Sequence, residues 1–361
     1  MTAATEQPAT ASVEPTVLAT ARNGVGHLTL NRPRALNALT LEMARAIWAA
    51  LDAWEDDVDV EMVILDGAGD RGLCAGGDVR GLAEQVGGGR AEDAGEFFRV
   101  EYALDARISE YPKPVIAFAD GITMGGGIGL AGHAPIRIVT ERSRLAMPET
   151  RIGFTPDVGG TRLLARAPGR IGEYLGLTGA SMDAADAVYA GFADHVVPSE
   201  RLESVREALE TRADPSSPTE IVLLFDETAP ESRLHTDREW IDEAFSAETV
   251  GEIVERLRAR PEPAAAATAD TLEELSPTGL AVTLSAIRRA RELPSLRDTL
   301  SQEYGLVMWF AETQPDLVEG IRAQVIDKDR SPRWQPATLA ELDPAIVDQA
   351  FAHRPKTPLW T

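Results

Sequence analysis

Glu149 and Asp157, eight positions apart (157 − 149), each follow a turn-forming proline, in Met147-Pro148-Glu149 and Pro156-Asp157. Met147, Ile152, Phe154 and Val158 give them apolar neighbours. A carboxyl group in apolar surroundings keeps its proton to higher pH, and a like-charged neighbour raises one of the pair further. Such groups serve as general acid, general base or nucleophile near neutral pH. The same residues are equally compatible with helix capping or with ion pairs to Arg151 and Arg162.

Just upstream lies a glycine cluster, Gly125, Gly126, Gly127 and Gly129, which follows a strand-like run and opens a helix. The first amides of a helix have no backbone acceptor and sit at the positive end of its dipole, so they suit an anion or a developing oxyanion. Gly76-Gly77-Asp78 is a second turn of this kind. Two such amides converging on one carbonyl form an oxyanion hole, in which losing one donor costs about 3 kcal/mol of transition-state stabilisation. Glycine clusters also serve simply to make tight turns. Gly127-x-Gly129-x-x-Gly132 has the dinucleotide spacing but lies mid-chain within a longer glycine run. Cys74 has no histidine near it and reads as a packed side chain. His27, His133, His195, His235 and His353 are isolated, so no metal site is expected.

The elements that must hold these loops follow from periodicity. Residues 17–30 read as a hairpin about Asn23-Gly24, and Thr40 caps a helix with Met43, Ile47, Leu51 and Trp54 on one face. Residues 60–65 read as a buried strand, Gly87-Gly88-Gly89 as a break, and 91–110 as a helix ended by Pro112 and Pro114. Then come a strand over 115–119, the helix from Gly126, a strand over 136–140, one helix over 162–177 despite Pro168-Gly169, a short helix over 184–189 and a last strand over 195–198. Repetition of strand, glycine turn and helix predicts an α/β fold with a largely parallel sheet. Beyond residue 205 the pattern changes to amphipathic helices over 239–245, 250–258, 280–291, 296–310 and 316–326, with 214–218 and 261–264 as loops. The chain thus divides into an Ala/Thr/Pro/Glu-rich N-terminus over 1–14, expected to be disordered, a core over 15–205 and a C-terminal helical region over 206–361.

The formal net charge of −23 over 361 residues argues against nucleic acid or an anionic membrane as partner. An anionic ligand must then be held by local basic groups and backbone amides. The single cysteine excludes an intrachain disulfide and fits a reducing, cytoplasmic setting. The N-terminus lacks the basic and apolar regions of a secretory leader. The most apolar stretch, 114–132, carries Asp120 and six glycines and reads as a buried strand entering a helix rather than a membrane span.

NRPRALNALT at 31–40, GLCAGGDVR at 72–80, KPVIAFADGITMGGGIGL at 113–130 and LAMPETRIGFTPDVGGTRLLARAPG at 145–169 together resemble the crotonase (enoyl-CoA hydratase/isomerase) superfamily. The resemblance implies a crotonase-like spiral of ββα turns beside the C-terminal helical region. It also implies an oxyanion hole of the Gly77 and Gly126 amides, gripping the thioester oxygen of an acyl-CoA substrate. Coenzyme A is then part of the substrate, and no cofactor is implied. Relatives often form trimers or paired trimers, so a homo-oligomer is among the expectations, although the C-terminal extension would obstruct that packing.

Departures from the pattern narrow the reading. Hydratases of this superfamily carry one glutamate two residues after the glycine run, where this chain has Gly129, and a second that matches Glu149. Asp157 in PDVGG, Glu101 in FFRVEY (97–102), SPTGLAVTL (276–284) and EGIRAQVIDKDRSPRW (319–334) resemble instead the 3-hydroxyisobutyryl-CoA hydrolases. This extends the resemblance over nearly the whole chain. It implies Glu149 and Asp157 as catalytic residues, and Glu101 and Gly126 beside them as substrate contacts. Arg32, Arg34 and Lys328 are candidates for the CoA phosphates, with a solvated surface as the other reading. The alternatives are an enoyl-CoA hydratase or isomerase in which Asp157 replaces the missing glutamate, and a non-catalytic acyl-CoA-binding protein.

Overall fold

Asn23 and Gly24 both have positive φ, 51° and 81°, as a two-residue I′ turn requires. They fold β1 (Val17–Arg22) against β2 (Gly24–Leu30), with Val17 opposite Leu30 and Arg22 opposite Val25. In this computed structural model, which describes residues 14–211 and 217–360, the remaining main strands add in parallel. They are β3 (Val60–Gly67), β4 (Val115–Ala119), β6 (Ile136–Val139) and β8 (His195–Val196), in the order β1-β2-β3-β4-β6-β8. β3 and β4 run almost unbroken through buried aliphatic residues, as strands covered on both faces must.

β4 and β6 each lead into a short second-layer strand before the next helical element. β5 (Ile122–Met124) follows β4, β7 (Arg144–Ala146) follows β6, and the two pair in parallel. The loop after β3 joins this layer through bridges from Cys74 to Thr123 and from Gly77 to Leu39. The helices that follow are α1 (Leu41–Glu55), α2 (Val79–Gly87), α3 (Ala91–Glu110), α4 (Gly126–Gly132), α5 (Gly160–Arg166) and α6 (Ile171–Thr178). The glycine-rich turns therefore lie side by side at one end of the sheet. The ββα spiral expected from the resemblance is the observed architecture.

Four expectations need correction. Pro168-Gly169 does break the helix predicted over 162–177, giving α5 and α6, because Pro168 offers no amide and Gly169 has φ 58°. The helix predicted over 316–326 stops at Ile321 and continues as a π-turn over Arg322–Ile326. Pro218 and Pro263 begin helices rather than prolonging loops, since a first-turn proline sacrifices no hydrogen bond. The expected boundary at 205 falls inside the helix Leu202–Thr211, whose Val205 and Leu209 cover the outer face of the sheet with Ile64, Ile116 and Phe118. The N-terminal tail, apart from Glu14, and most of the 214–218 loop lie outside the described residues.

The C-terminal helices share one continuous apolar core with the sheet domain. They are also locked to it by charge. Glu173 of α6 is fully buried and meets Arg170 at 2.8 Å and Arg291 at 2.7 Å, with Arg288 at 3.7 Å. Arg288 and Arg291 come from the helix Pro277–Ala290 and its C-terminal end. A buried carboxylate is tolerated only when paired in this way. Replacing Glu173 by Ala strands three guanidinium groups that retain some solvent contact. The expected loss is about 2–4 kcal/mol, a little under the figure for a wholly buried pair, read as a lower urea midpoint with unchanged m-value.

Candidate active site

The paired bridge that fixes Leu39 to the loop after β3 uses the Gly76 carbonyl and the Asp78 amide. Strand alternation turns the Gly77 amide the other way, and it donates to no other described residue. Gly126, the first residue of α4, likewise has a free amide. Gly125 before it has φ 48° and ψ −118°, a conformation only glycine adopts without strain. A Cβ on Gly126 would stand 3.3 Å from the Gly77 nitrogen, and one on Gly76 would stand 3.8 Å from the Gly126 nitrogen. The two amides are thus neighbours across one small gap. Backbone bonds from Cys74 to Ile122 and from Met124 to Cys74 hold the two loops at this spacing.

Glu149 opens a single 3-10 turn, Glu149–Ile152, directly after β7. Thr150 anchors that turn to the Leu177 carbonyl at 3.0 Å, and Gly153, φ 69°, ends it. The residue is 7% exposed; Oε2 is buried and accepts no hydrogen bond from the described residues. Burial, and then the nearby Asp157, hold its pKa well above the ordinary carboxylate range. Asp157 is 6% exposed and accepts a 2.7 Å hydrogen bond from the Tyr102 hydroxyl. Burial pushes it up to about 7 against the pull of that bond. Glu101, on α3, is 2% exposed and is raised well above normal by burial and by Asp157.

All three carboxyls and both amides border one cavity of about 500 Å³. Its apolar wall includes Leu39, Leu82, Phe97, Phe98, Phe154 and Val325. Free amides and carboxyls on one cavity can hold a carbonyl oxygen and deliver an attacking oxygen or take a proton. Among the described residues there is no group of three or more His, Cys, Asp or Glu able to hold a metal. No described helix is long and apolar enough to cross a membrane. Cys74 is buried, and its thiol is pushed up to about 12 by desolvation, which leaves it inert.

Arg32, Arg34 and Lys328 do not line this cavity. Arg32 donates to the Ala38 carbonyl at 2.6 Å and sits 3.6 Å from Asp78, while Arg34 and Lys328 are exposed. Each belongs to a segment that does reach the wall, at residues 39–41 or at Gln324 and Val325. Arg80 of α2 also donates to the Val325 carbonyl, fastening the π-turn over the cavity.

Three buried groups around the site escaped the sequence. Glu303, from the helix Leu296–Thr313, accepts from the Gly159 amide at 2.6 Å and from the Thr161 amide and hydroxyl at 2.9 and 2.6 Å. It caps α5 and pins the loop carrying Asp157. Its own pKa still rises to about 8, because burial outweighs those donors. Tyr102 fixes Asp157 directly. Asp105, one turn after Glu101 on α3, is wholly buried, and neither carboxyl oxygen accepts a hydrogen bond from the described residues. FFRVEY contains Tyr102, but nothing local says which way it points. Glu303 and Asp105 read as ordinary helix-surface acids until the packing is known.

Two free amides and three buried carboxyls thus border one cavity at the end of a ββα spiral, and that spiral is the crotonase fold. The family model described as "Enoyl-CoA hydratase/isomerase" matches residues 25–351, and the chain belongs to that family. It is 42% identical to the mitochondrial 3-hydroxyisobutyryl-CoA hydrolase of Danio rerio over 91% of this chain and 87% of the relative. For the Homo sapiens protein of the same name the figures are 39%, 93% and 88%. Among solved structures, a carnitinyl-CoA dehydratase from Mycobacterium thermoresistibile is 45% identical with TM-score 0.90, covering 95% of this chain and 98% of that one. An enoyl-CoA hydratase from Rhodobacter sphaeroides is 44% identical with TM-score 0.87, covering 94% and 98%.

The structure also explains why position 129 carries no side chain. A Cβ there would lie 2.8 Å from both Asp105 oxygens and 2.8 Å from the Val158 Cβ. Neither neighbour has free space to yield into, since both are buried in the core and the Val158 carbonyl is bonded to His133 at 2.8 Å. Gly129→Ala is therefore expected to cost about 1–3 kcal/mol as overpacking, read by thermal or urea denaturation. Unchanged stability would show that α3 and α4 are less tightly apposed than described.

Proposed function

We propose that this chain hydrolyses 3-hydroxyisobutyryl-CoA to 3-hydroxyisobutyrate and free coenzyme A. The carrying observation is that Glu149 and Asp157 share the cavity with the Gly77 and Gly126 amides, while the second hydratase glutamate is replaced by Gly129. The curated relatives of the same name support the substrate. The amides receive the negative charge that develops on the thioester oxygen. Glu149, with Oε2 buried and unbonded, either attacks the carbonyl to give an anhydride that water opens, or takes a proton from water as that water attacks. In both routes the C–S bond breaks and the thiolate leaves as CoA. Asp157, held by Tyr102, and Glu101 face the hydroxyacyl end and orient its hydroxyl. Arg32, Arg34 and Lys328 are the candidates for the CoA phosphates outside the cavity. Cytoplasmic placement rests on the single unpaired thiol, whereas the vertebrate relatives are named mitochondrial.

Hydration is the weaker reading because position 129 has no room for the second glutamate that it needs. The decisive assay is thiol release from 3-hydroxyisobutyryl-CoA. Fast hydration of crotonyl-CoA with no thiol released would overturn the proposal. Glu149→Gln is expected to lose about 10²–10⁴-fold in kcat, and single turnover in ¹⁸O-water reads the route, since label on Glu149 requires an anhydride opened at the Glu149 carbonyl, whereas direct attack by water labels only the product acid.

The pH profile is a second check. The wild type should gain kcat/KM as pH rises through about 7, where the Asp157 region loses its proton, rather than near 4 as for ordinary carboxyls. Removing the negative charge beside Glu149 lowers that group's affinity for a proton. The residual activity of Asp157→Asn should therefore rise at lower pH than the wild type's. A rise at the same or higher pH would contradict the coupling between the two groups.

A further inference from the structure

Glu101 and Asp105 lie one turn apart on α3, and each presses its carboxyl against a glycine of α4. The carboxyl of Glu101 sits 2.5 Å from where a Cβ of Gly126 would be, and that of Asp105 2.8 Å from the same point on Gly129. Gly126 and Gly129 are themselves one turn apart, so the two acids form adjacent rungs between the helices. Glu101 borders the cavity, whereas Asp105 does not. The groups that act on Asp105 are Glu101 on its own helix, Asp157 from the loop and Glu303 from the C-terminal helix. The Tyr102 hydroxyl is committed to Asp157, and the His133 ring nitrogen to the Val158 carbonyl. No arginine or lysine pairs with Asp105, and no described N–H or O–H reaches it.

An ionised Asp105 in this place would have three acidic neighbours, no donor and no water-facing side. We infer that Asp105 is a positioning residue that works in its protonated form, giving its O–H to the rear of the Glu101 carboxyl and so fixing the oxygen that Glu101 turns toward the substrate. Desolvation and the neighbouring Glu101 both act in the direction of keeping that proton, holding Asp105 well above the normal range. Asp105 thus fills the volume beside position 129 as a neutral acid one layer behind the cavity. The inference rests on the proposed placement of the hydroxyacyl group against Glu101.

Two consequences follow. A neutral donor of the same shape should replace Asp105, and a neutral non-donor should not. The stability linkage has a definite sign. Below the unfolded-state acidity of an aspartate, near pH 4, both states carry the proton and Asp105 contributes nothing. Above it, the unfolded chain ionises while the folded chain holds its proton, so the native state binds more protons and the group destabilises it increasingly as pH rises. Asp105→Asn removes this loss, and so it should be at least as stable as wild type at pH 7–8, with the gap closing toward pH 4.

The test compares Asp105→Asn and Asp105→Leu with wild type in the thiol-release assay, with denaturation and infrared difference spectra taken on the same samples. Wild-type thiol release tests the hydrolase proposal by itself, so its failure is separable from failure here. The expected result is Asp105→Asn within about threefold of wild-type kcat/KM at pH 7, and Asp105→Leu folded but about 10–100-fold lower, the worth of one hydrogen bond to a charged group. The carbonyl stretch of a protonated carboxylic acid seen in wild type at pH 7 should be missing from both variants. Wild-type activity in Asp105→Leu would overturn the inference. So would an Asp105→Asn variant as impaired as Asp105→Leu, or wild-type spectra with no protonated acid assignable to position 105.

Discussion

Five carboxyl groups, Glu101, Asp105, Glu149, Asp157 and Glu303, lie buried around one end of the cavity, and none of them pairs with an arginine or lysine among the described residues. Two unit charges ~5 Å apart repel by about 3 kcal/mol at an effective dielectric of ~20, equivalent to roughly two units of acidity for a neighbouring carboxyl. Burial adds to that. Such a cluster cannot be fully ionised at neutral pH, and much of the surrounding structure can be understood as deciding which members keep their protons. Glu303 meets three donors, Asp157 meets one, and Glu149 Oε2 and both Asp105 oxygens meet none. Hydrogen bonding alone does not set the order, because burial lifts Glu303 to about 8 despite its three donors and Asp157 to about 7 with one.

The close approach of helices that builds the cluster depends on glycine. α4 has the sequence GGIGLAG, which as an isolated helix would be poor. Its glycines let α3 bring carboxyls into the space where side chains would stand, and they leave the Gly126 amide open at the helix start. Gly127 plays the same part toward the neighbouring loop, since a Cβ there would meet the Cys74 carbonyl at 2.4 Å. The cost in helix propensity is offset by full burial of the segment in the core.

Much of this was legible in the sequence, for identifiable reasons. The hairpin, β3, β4, α3 and α4 carry strong local signals: Asn-Gly, aliphatic runs, glycine clusters and flanking prolines. Glu149 and Asp157 stood out because their proline turns and apolar neighbours mark acids that are not on a solvated face. Glu303 and Asp105 did not stand out, because each sits on an amphipathic helix where a single acid usually faces water. Only the packing of Leu296–Thr313 against α3 and α5 shows them to be inside. Continuous periodicity over 162–177 argues for one helix, but the backbone chemistry of Pro168-Gly169 divides it in two.

The C-terminal region is part of the site in a stronger sense than proximity. Glu303 ties down the loop carrying Asp157. On the other side, Asp316 accepts from Ser276 at 2.6 Å and from the Gln335 amide at 2.8 Å, and its own carbonyl lies 2.4 Å from where a Cβ on Gly153 would be. Gly320 packs as closely on Ile152. The turn bearing Glu149 is thus clamped between α6 and the helix Asp316–Ile321, through contacts that no side chain larger than glycine would permit. A crotonase core alone supplies the two amides and the loops. The appended helices brace the loop carrying Asp157 and the turn carrying Glu149. Because near-attack geometry tolerates displacements well under ~1 Å, that restraint belongs to the chemistry as much as the carboxyl groups do.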